Sequence, residues 1–149
     1  MARHLGQMWI WRRLSLGAVA LVAACAGSGF SPPPESAGPD VVLRAYLQAL
    51  ERGDCSAGKV LGTSTFVFGN GELCGQTTVS SFTIDGPNVG LHPSAWQAAP
   101  IATEVVFAAT LVTSGTADGS VRPGTLAWFY DLKRQPNGAW RLAGGGSGP

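Results

Sequence analysis

Two hydrophobic periods divide the chain after residue 39, a helical one first and a strand-like one second. From Asp40 to Gly53, Val42, Ala45, Tyr46, Ala49 and Leu50 recur at helical spacing, while Arg44, Gln48 and Glu51 fall on the opposite face. This predicts an amphipathic helix, with Asp40 placed to cap its start and Gly53 to end it. Asp54 is placed to cap a second, short helix from Cys55 to Leu61, stopped by Gly62. Residues 63–75 carry no clear period: Thr65 to Phe68 fits either a strand or the end of the helical layer. Beyond this stretch the pattern turns to β. Val79 to Ile84 is a strand closed by Asp85-Gly86-Pro87, and the prolines at 87, 93 and 100 make residues 86–100 a loop or a broken edge. Ala102 to Thr113 and Pro123 to Arg134 are long strands joined by a turn at Thr116 to Ser120 with Asp118-Gly119 at its tip. Pro136-Asn137-Gly138 is a strong hairpin signal in which Asn-Gly accepts positive φ. Ala139 to Ala143 is the last strand, and Gly144 to Pro149 has no side chains with which to pack and is expected to fray.

Helices followed by an antiparallel meander define an α+β domain. In the Ala102 to Thr113 strand both alternating sets are apolar: Val105, Phe107, Ala109 and Leu111 on one side, Val106, Ala108 and Val112 on the other. The sheet is therefore covered on both faces or curled around its contents; an apolar face left open would suit a homodimer.

The residues before this domain carry an address. Arg3, Arg12 and Arg13 precede a charge-free run from Leu14 to Ala24, the layout of a secretory signal peptide and too short to span a bilayer. The run ends on Val22-Ala23-Ala24-Cys25, which resembles the bacterial lipobox, cut just before a cysteine whose thiol carries a diacylglycerol. Residues 1–24 are then signal peptide, Cys25 is the lipidation site, and the protein works on the extracytoplasmic face of the cell membrane. The alternative is a plain secreted protein in which Cys25 is accidental. Ala26 to Pro39, rich in Gly, Ser and Pro, reads as a flexible tether spanning roughly 45 Å when extended.

Charge and cysteine count narrow the picture. Three of the ten basic residues precede Cys25 and all nine acidic ones follow it, so the mature chain is weakly acidic. It has no basic run and no basic-aromatic interleaving, which argues against nucleic acid as a partner. With Cys25 lipidated, Cys55 and Cys74 remain as an even pair in an oxidising compartment, which predicts a disulfide, two free thiols being the alternative. These two cysteines and His92 match no standard zinc spacing, and neither a metal nor a cofactor is expected.

The run VVLRAYLQALERGDCSAGKVL, followed by the strands and the ending WFYDLKRQPNGAWRLAGGG, resembles the nuclear transport factor 2-like (cystatin-like, cone-shaped) superfamily, and most of all its small bacterial lipoprotein members. The match covers residues 39–143. The resemblance implies a curved antiparallel sheet wrapped around helices, with a conical pocket between them. Fuller members have three helices, and residues 63–74 are where a reduced third one would fall. The fold hosts isomerases and cyclases as well as members with no chemistry, so it does not decide function.

A pocket isomerase needs a buried carboxylate as base and a donor to the oxyanion. Asp131 stands beside Tyr130, but alternation puts the two on opposite faces of a strand. Glu104 is near a strand start, where a charge is usually solvated, and Tyr46 on the buried helix face reads as a core tyrosine with a satisfied hydroxyl. There is no Gly-x-Ser-x-Gly, His92 reads as a surface residue in the Pro-rich loop, and Gly144 to Gly148 is no phosphate loop, since neither a helix nor a lysine follows. No residue is assigned a catalytic role. Tyr46, Trp128 and Tyr130 are candidate contacts for a ligand or partner; Trp128 and Tyr130 share a face, with Trp140 and Leu142 on the next strand, as the wall of a ligand pocket or as core filling. Trp96, at the expected mouth, is the residue placed for contact with a ligand or partner, or else a plug over the sheet edge. The expectation is a non-catalytic, membrane-anchored extracytoplasmic domain that binds a small apolar ligand or an envelope protein. The alternatives are a pocket enzyme of isomerase or cyclase type, and a structural module of an envelope complex.

Overall fold

Pro39 opens the first helix, α1 (Pro39–Glu51): its ring fixes φ near the helical value, and it lacks an N–H that the first turn would leave unpaired. In this computed structural model, which describes residues 30–69, 71–87 and 102–148, the N-cap is Gly38 and carries no side-chain capping bond. Asp40 therefore does not cap; it lies in the first turn, where its charge faces the positive end of the helix. The buried stripe is wider than the period implies, adding Leu43 and Leu47 to Val42, Tyr46, Ala49 and Leu50, because α1 packs against other elements on more than one side.

The second helix, α2 (Ser56–Leu61), has Cys55 and not Asp54 at its N-cap, without a side-chain capping bond; Asp54, one residue earlier, accepts from Ser56 N at 3.0 Å and Ser56 Oγ at 2.6 Å. Those two bonds hold its carboxyl below the usual range. The ambiguous stretch forms a third helix, α3 (Ser64–Phe68), not a strand. Thr63 Oγ1 accepts from Phe66 N at 3.3 Å, and Phe66 turns fully inward.

The four strands, β1 (Val79–Pro87), β2 (Glu104–Thr113), β3 (Gly124–Arg134) and β4 (Trp140–Gly146), form one antiparallel sheet in sequence order. The domain is thus α+β, with three short helices packed on a four-stranded meander. β2 and β3 pair without interruption from Glu104↔Lys133 to Thr113↔Gly124. Phe107, Ala109 and Leu111 of β2 face the helices together with Tyr130 and Leu132 of β3. The opposite set, Val106, Ala108 and Phe129, shares the outer face with Glu104, Asp131 and Lys133.

Three local expectations give way to the structure. At the β3–β4 hairpin, Gly138 alone has positive φ (88°), while Asn137 does not. The turn is closed by Gly138 N→Gln135 O and Gln135 N→Ala139 O, both 2.8 Å, and Asn137 contributes its side chain, accepting from Ala139 N at 3.2 Å. The glycine tail does not fray from Gly144: Gly144, Gly145 and Gly146 pair with Asp131, Tyr130 and Phe129 after a bulge. Their backbone supplies the ladder, and their missing side chains let another segment approach, since a Cβ on Gly71 would fall 2.5 Å from Gly145 N. The proposed tether is not free along its whole length either: Phe30 and Ala37 pack against the core, and Ala37 N bonds Pro34 O at 2.9 Å. Burial of an aromatic ring outweighs the flexibility that the surrounding Gly, Ser and Pro suggest.

At the β2–β3 turn, Asp118 Oδ1 accepts from Thr116 Oγ1 (2.6 Å), Ser120 Oγ (2.8 Å) and Ser120 N (3.0 Å). Those donors hold its carboxyl down to about 2. Cys25, His92 and Trp96 lie outside the described residues. No described helix is long and apolar enough to cross a membrane.

Candidate functional site

The resemblance places a pocket between the helices and the sheet, and in this region α1, α3 and β3 bring three aromatic rings together. Tyr46 meets Phe66 edge-on at 5.4 Å between centroids and Tyr130 at 5.7 Å. All three are fully buried. The Tyr46 hydroxyl donates to Glu72 Oε1 at 2.8 Å and accepts from Leu73 N at 3.5 Å; Cys74 N donates to the same Glu72 oxygen at 3.0 Å. Gly58 of α2 makes room for this carboxylate, because a Cβ there would overlap Glu72 Oε2. The Cys55–Cys74 disulfide, with Cα atoms 5.3 Å apart, ties the segment that carries Glu72 to the start of α2.

Glu72 is the residue that sequence reasoning missed. It lies in the stretch without a period, and the available signal was its place two residues before Cys74. A bridge from Cys74 to Cys55, just past the end of α1, brings position 72 close to that helix.

The phenols are ill suited to proton transfer. Burial, then the neighbouring Tyr130 and Glu72, push Tyr46 well above the ordinary range. Burial, then Glu72, pushes Tyr130 up as well, with Tyr46 beside it working against the shift. The Tyr130 hydroxyl meets no partner at hydrogen-bond geometry among the described residues, and the same holds for Trp128 Nε1. Trp128 and Trp140 are partly buried against the same core. The aromatic wall expected from the strand pattern thus fills the space beneath the helices.

Asp131 lies on the other face of β3, so it does not meet Tyr130. Lys133 Nζ sits 2.7 Å from Glu104 Oε1 and 3.9 Å from Asp131 Oδ2. The Glu104 side chain is only 9% exposed, so this strand-start charge is paired and largely shielded instead of solvated. Asp131 Oδ1 is buried without a partner among the described residues. Burial raises the Asp131 carboxyl to about 6, Lys133 working against the shift and Glu104 with it. The folded state thus holds this proton where the unfolded chain has released it. Between about pH 4 and 6 this group makes stability fall as pH rises. Asp131→Asn is expected to flatten that slope and to raise stability at pH 7, read as urea midpoints across the window. An unchanged slope counts against the assignment.

Open clefts lie elsewhere among the described residues. One of about 330 Å³ is lined by Gly53, Cys55, Cys74, Thr78 and Ser114, beside the disulfide. Another of about 560 Å³ is lined by Thr63, Ser64, Gln135, Asn137 and Arg141, beside the β3–β4 hairpin. Among the described residues no three His, Cys, Asp or Glu side chains are grouped to hold a metal ion. Compared with protein-family models, with curated proteins and with solved structures, the chain gives no match.

Proposed function

We propose that this is a lipid-anchored extracytoplasmic domain that binds a protein partner of the cell envelope through its surface. The packing of Tyr46, Phe66 and Tyr130 into the region between helices and sheet carries the choice of a protein over a small apolar ligand. A conical pocket of the nuclear transport factor 2-like kind would need that volume open. The anchor rests on the charged, apolar and small-residue sequence that ends at Cys25. A pocket enzyme is the weaker reading, because its best donor set, Glu72 and Tyr46, is already bonded internally.

Native mass spectrometry of the full-length product, extracted from its own membrane in detergent, tests both halves. The expected species begins at Cys25, carries a diacylglyceryl mass and has no small-molecule passenger. A reproducible apolar passenger overturns the protein-partner reading in favour of a ligand carrier, and a chain without lipid overturns the anchor.

A further inference from the structure

We infer that the cleft between the α2–α3 link and the β3–β4 hairpin is a carboxylate-binding site, through which the domain takes an acidic segment of its protein partner. The inference rests on the protein-partner reading above and adds the place and the chemistry of the contact. Thr63 N donates to Leu142 O at 2.7 Å and Gly62 bridges Leu142, so the link lies along the edge of β4 next to Arg141. The hairpin adds Gln135 and Asn137 to the lining of this open volume of about 560 Å³.

The lining is rich in donors and contains no acid. Arg141 gives one bond, from Nη1 to Trp140 O at 3.0 Å, and no carboxylate lies within ion-pair distance of it among the described residues. Most of its N–H donors therefore remain for a ligand. Asn137 accepts from Ala139 N through Oδ1, at 3.2 Å, which leaves Nδ2, a group that can only donate. Thr63 Oγ1 accepts from Phe66 N and keeps its own proton to donate. Pro136 is the one apolar side chain of the lining, so the cleft offers little to an apolar ligand.

The distribution of charge along the chain agrees. Segments 55–71 and 132–149 supply the whole lining. They carry Lys59, Lys133, Arg134 and Arg141 and no acidic residue. The rest of the chain after Cys25 holds Arg44, Arg52 and Arg122 against all nine acids. Lys133 stands directly opposite Arg141 on the ladder, and Glu104 already pairs with it. Like charges opposed in this way repel, and a carboxylate arriving at Arg141 relieves the repulsion. A carboxylate also matches the fork of a guanidinium with two parallel bonds. A segment with several acids fits better than a single one. Arg134, held by its Nε bond to Gly138 O at 3.1 Å, and Lys59, on α2 just before the link, are both exposed and add cations beyond the cleft.

NMR titration of the isotope-labelled full-length chain, in zwitterionic detergent, with acetylated, amidated hexaglutamate tests this. Shifts are expected at the amides of Thr63, Ser64, Asn137 and Arg141, with binding weakened roughly threefold or more between about 50 and 300 mM NaCl. Asn137→Asp keeps the acceptor for Ala139 N and places a negative charge in the cleft. It is expected to weaken binding by about fivefold or more, as is Arg141→Gln. Arg122→Gln, beyond the other end of β3, is expected to change it by less than about twofold. Shifts that avoid these four amides, or equal binding of hexaglutamine, overturn the site. Inorganic phosphate or acetate that shifts the same amides as strongly reduces it to a general anion site and overturns the acidic segment. A chain that carries an apolar passenger yet takes the peptide here overturns the protein-partner reading and leaves the carboxylate site standing. A chain without a passenger that does not take the peptide overturns the site alone.

Discussion

Replacing Cys55 and Cys74 together with serine is expected to lower stability by about 3 kcal/mol, seen in urea as an earlier midpoint, and to lower Tm by roughly 12–20 °C. The bridge closes a loop with a sequence separation of 19. That loop contains α2, α3 and Glu72, and neither helix is long enough to persist without tertiary contacts. Opening the bridge restores the conformational freedom of this loop in the unfolded chain. It also loosens the backbone on which Glu72 meets Tyr46, since Cys74 N is a donor to the same carboxylate oxygen. A double variant that loses less than about 1 kcal/mol shows that helix packing alone holds the loop. A loss near 3 kcal/mol that the reductant-treated wild type reproduces assigns the effect to the covalent link and excludes an effect of the serines.

α1 and the strands were legible because their side chains repeat with a period, whereas α3 lies in a stretch that has none. Val42, Tyr46 and Leu50 mark a helix face, and Phe107, Ala109 and Leu111 mark the inner face of a strand. The paired cysteines were legible from their number and from the compartment implied by the sequence before them. What could not be read was set by single contacts without a period. Phe30 is an isolated aromatic in a Gly, Ser and Pro context, and only the three-dimensional core shows that a slot receives it. Gly144 to Gly146 have no side-chain pattern, yet strand pairing needs only backbone, and the close approach of Gly71 requires their smallness. Glu72 was hidden for a similar reason. Its role comes from a loop fold and from the gap at Gly58, and neither leaves a trace in the spacing around it. The candidate site was therefore half legible: Tyr46 and Tyr130 stood out as inward tyrosines, and the carboxylate that bonds Tyr46 did not.

The second large effect is expected at Tyr130, where ring and hydroxyl separate cleanly. Tyr130→Ala should cost about 3–5 kcal/mol, because a fully buried ring is removed from between α1 and the sheet and rigid neighbours cannot refill the space. Tyr130→Phe should cost almost nothing, and a gain of up to about 1 kcal/mol is consistent with removing a buried hydroxyl that has no partner among the described residues. Tyr46→Phe is the contrasting control. It keeps the ring but takes the donor from Glu72, and the loss should be about 1–2 kcal/mol. Urea midpoints of the three variants, compared at constant m, give the ordering. If Tyr130→Phe instead costs as much as Tyr46→Phe, the Tyr130 hydroxyl is bonded in solution. The ring cluster is then a hydrogen-bonded network that reaches from Glu72 to β3, and the case for a site with chemistry in it is reopened. If the ordering holds, the tyrosines act as packing with one polar tie, and the search for function moves to the domain surface.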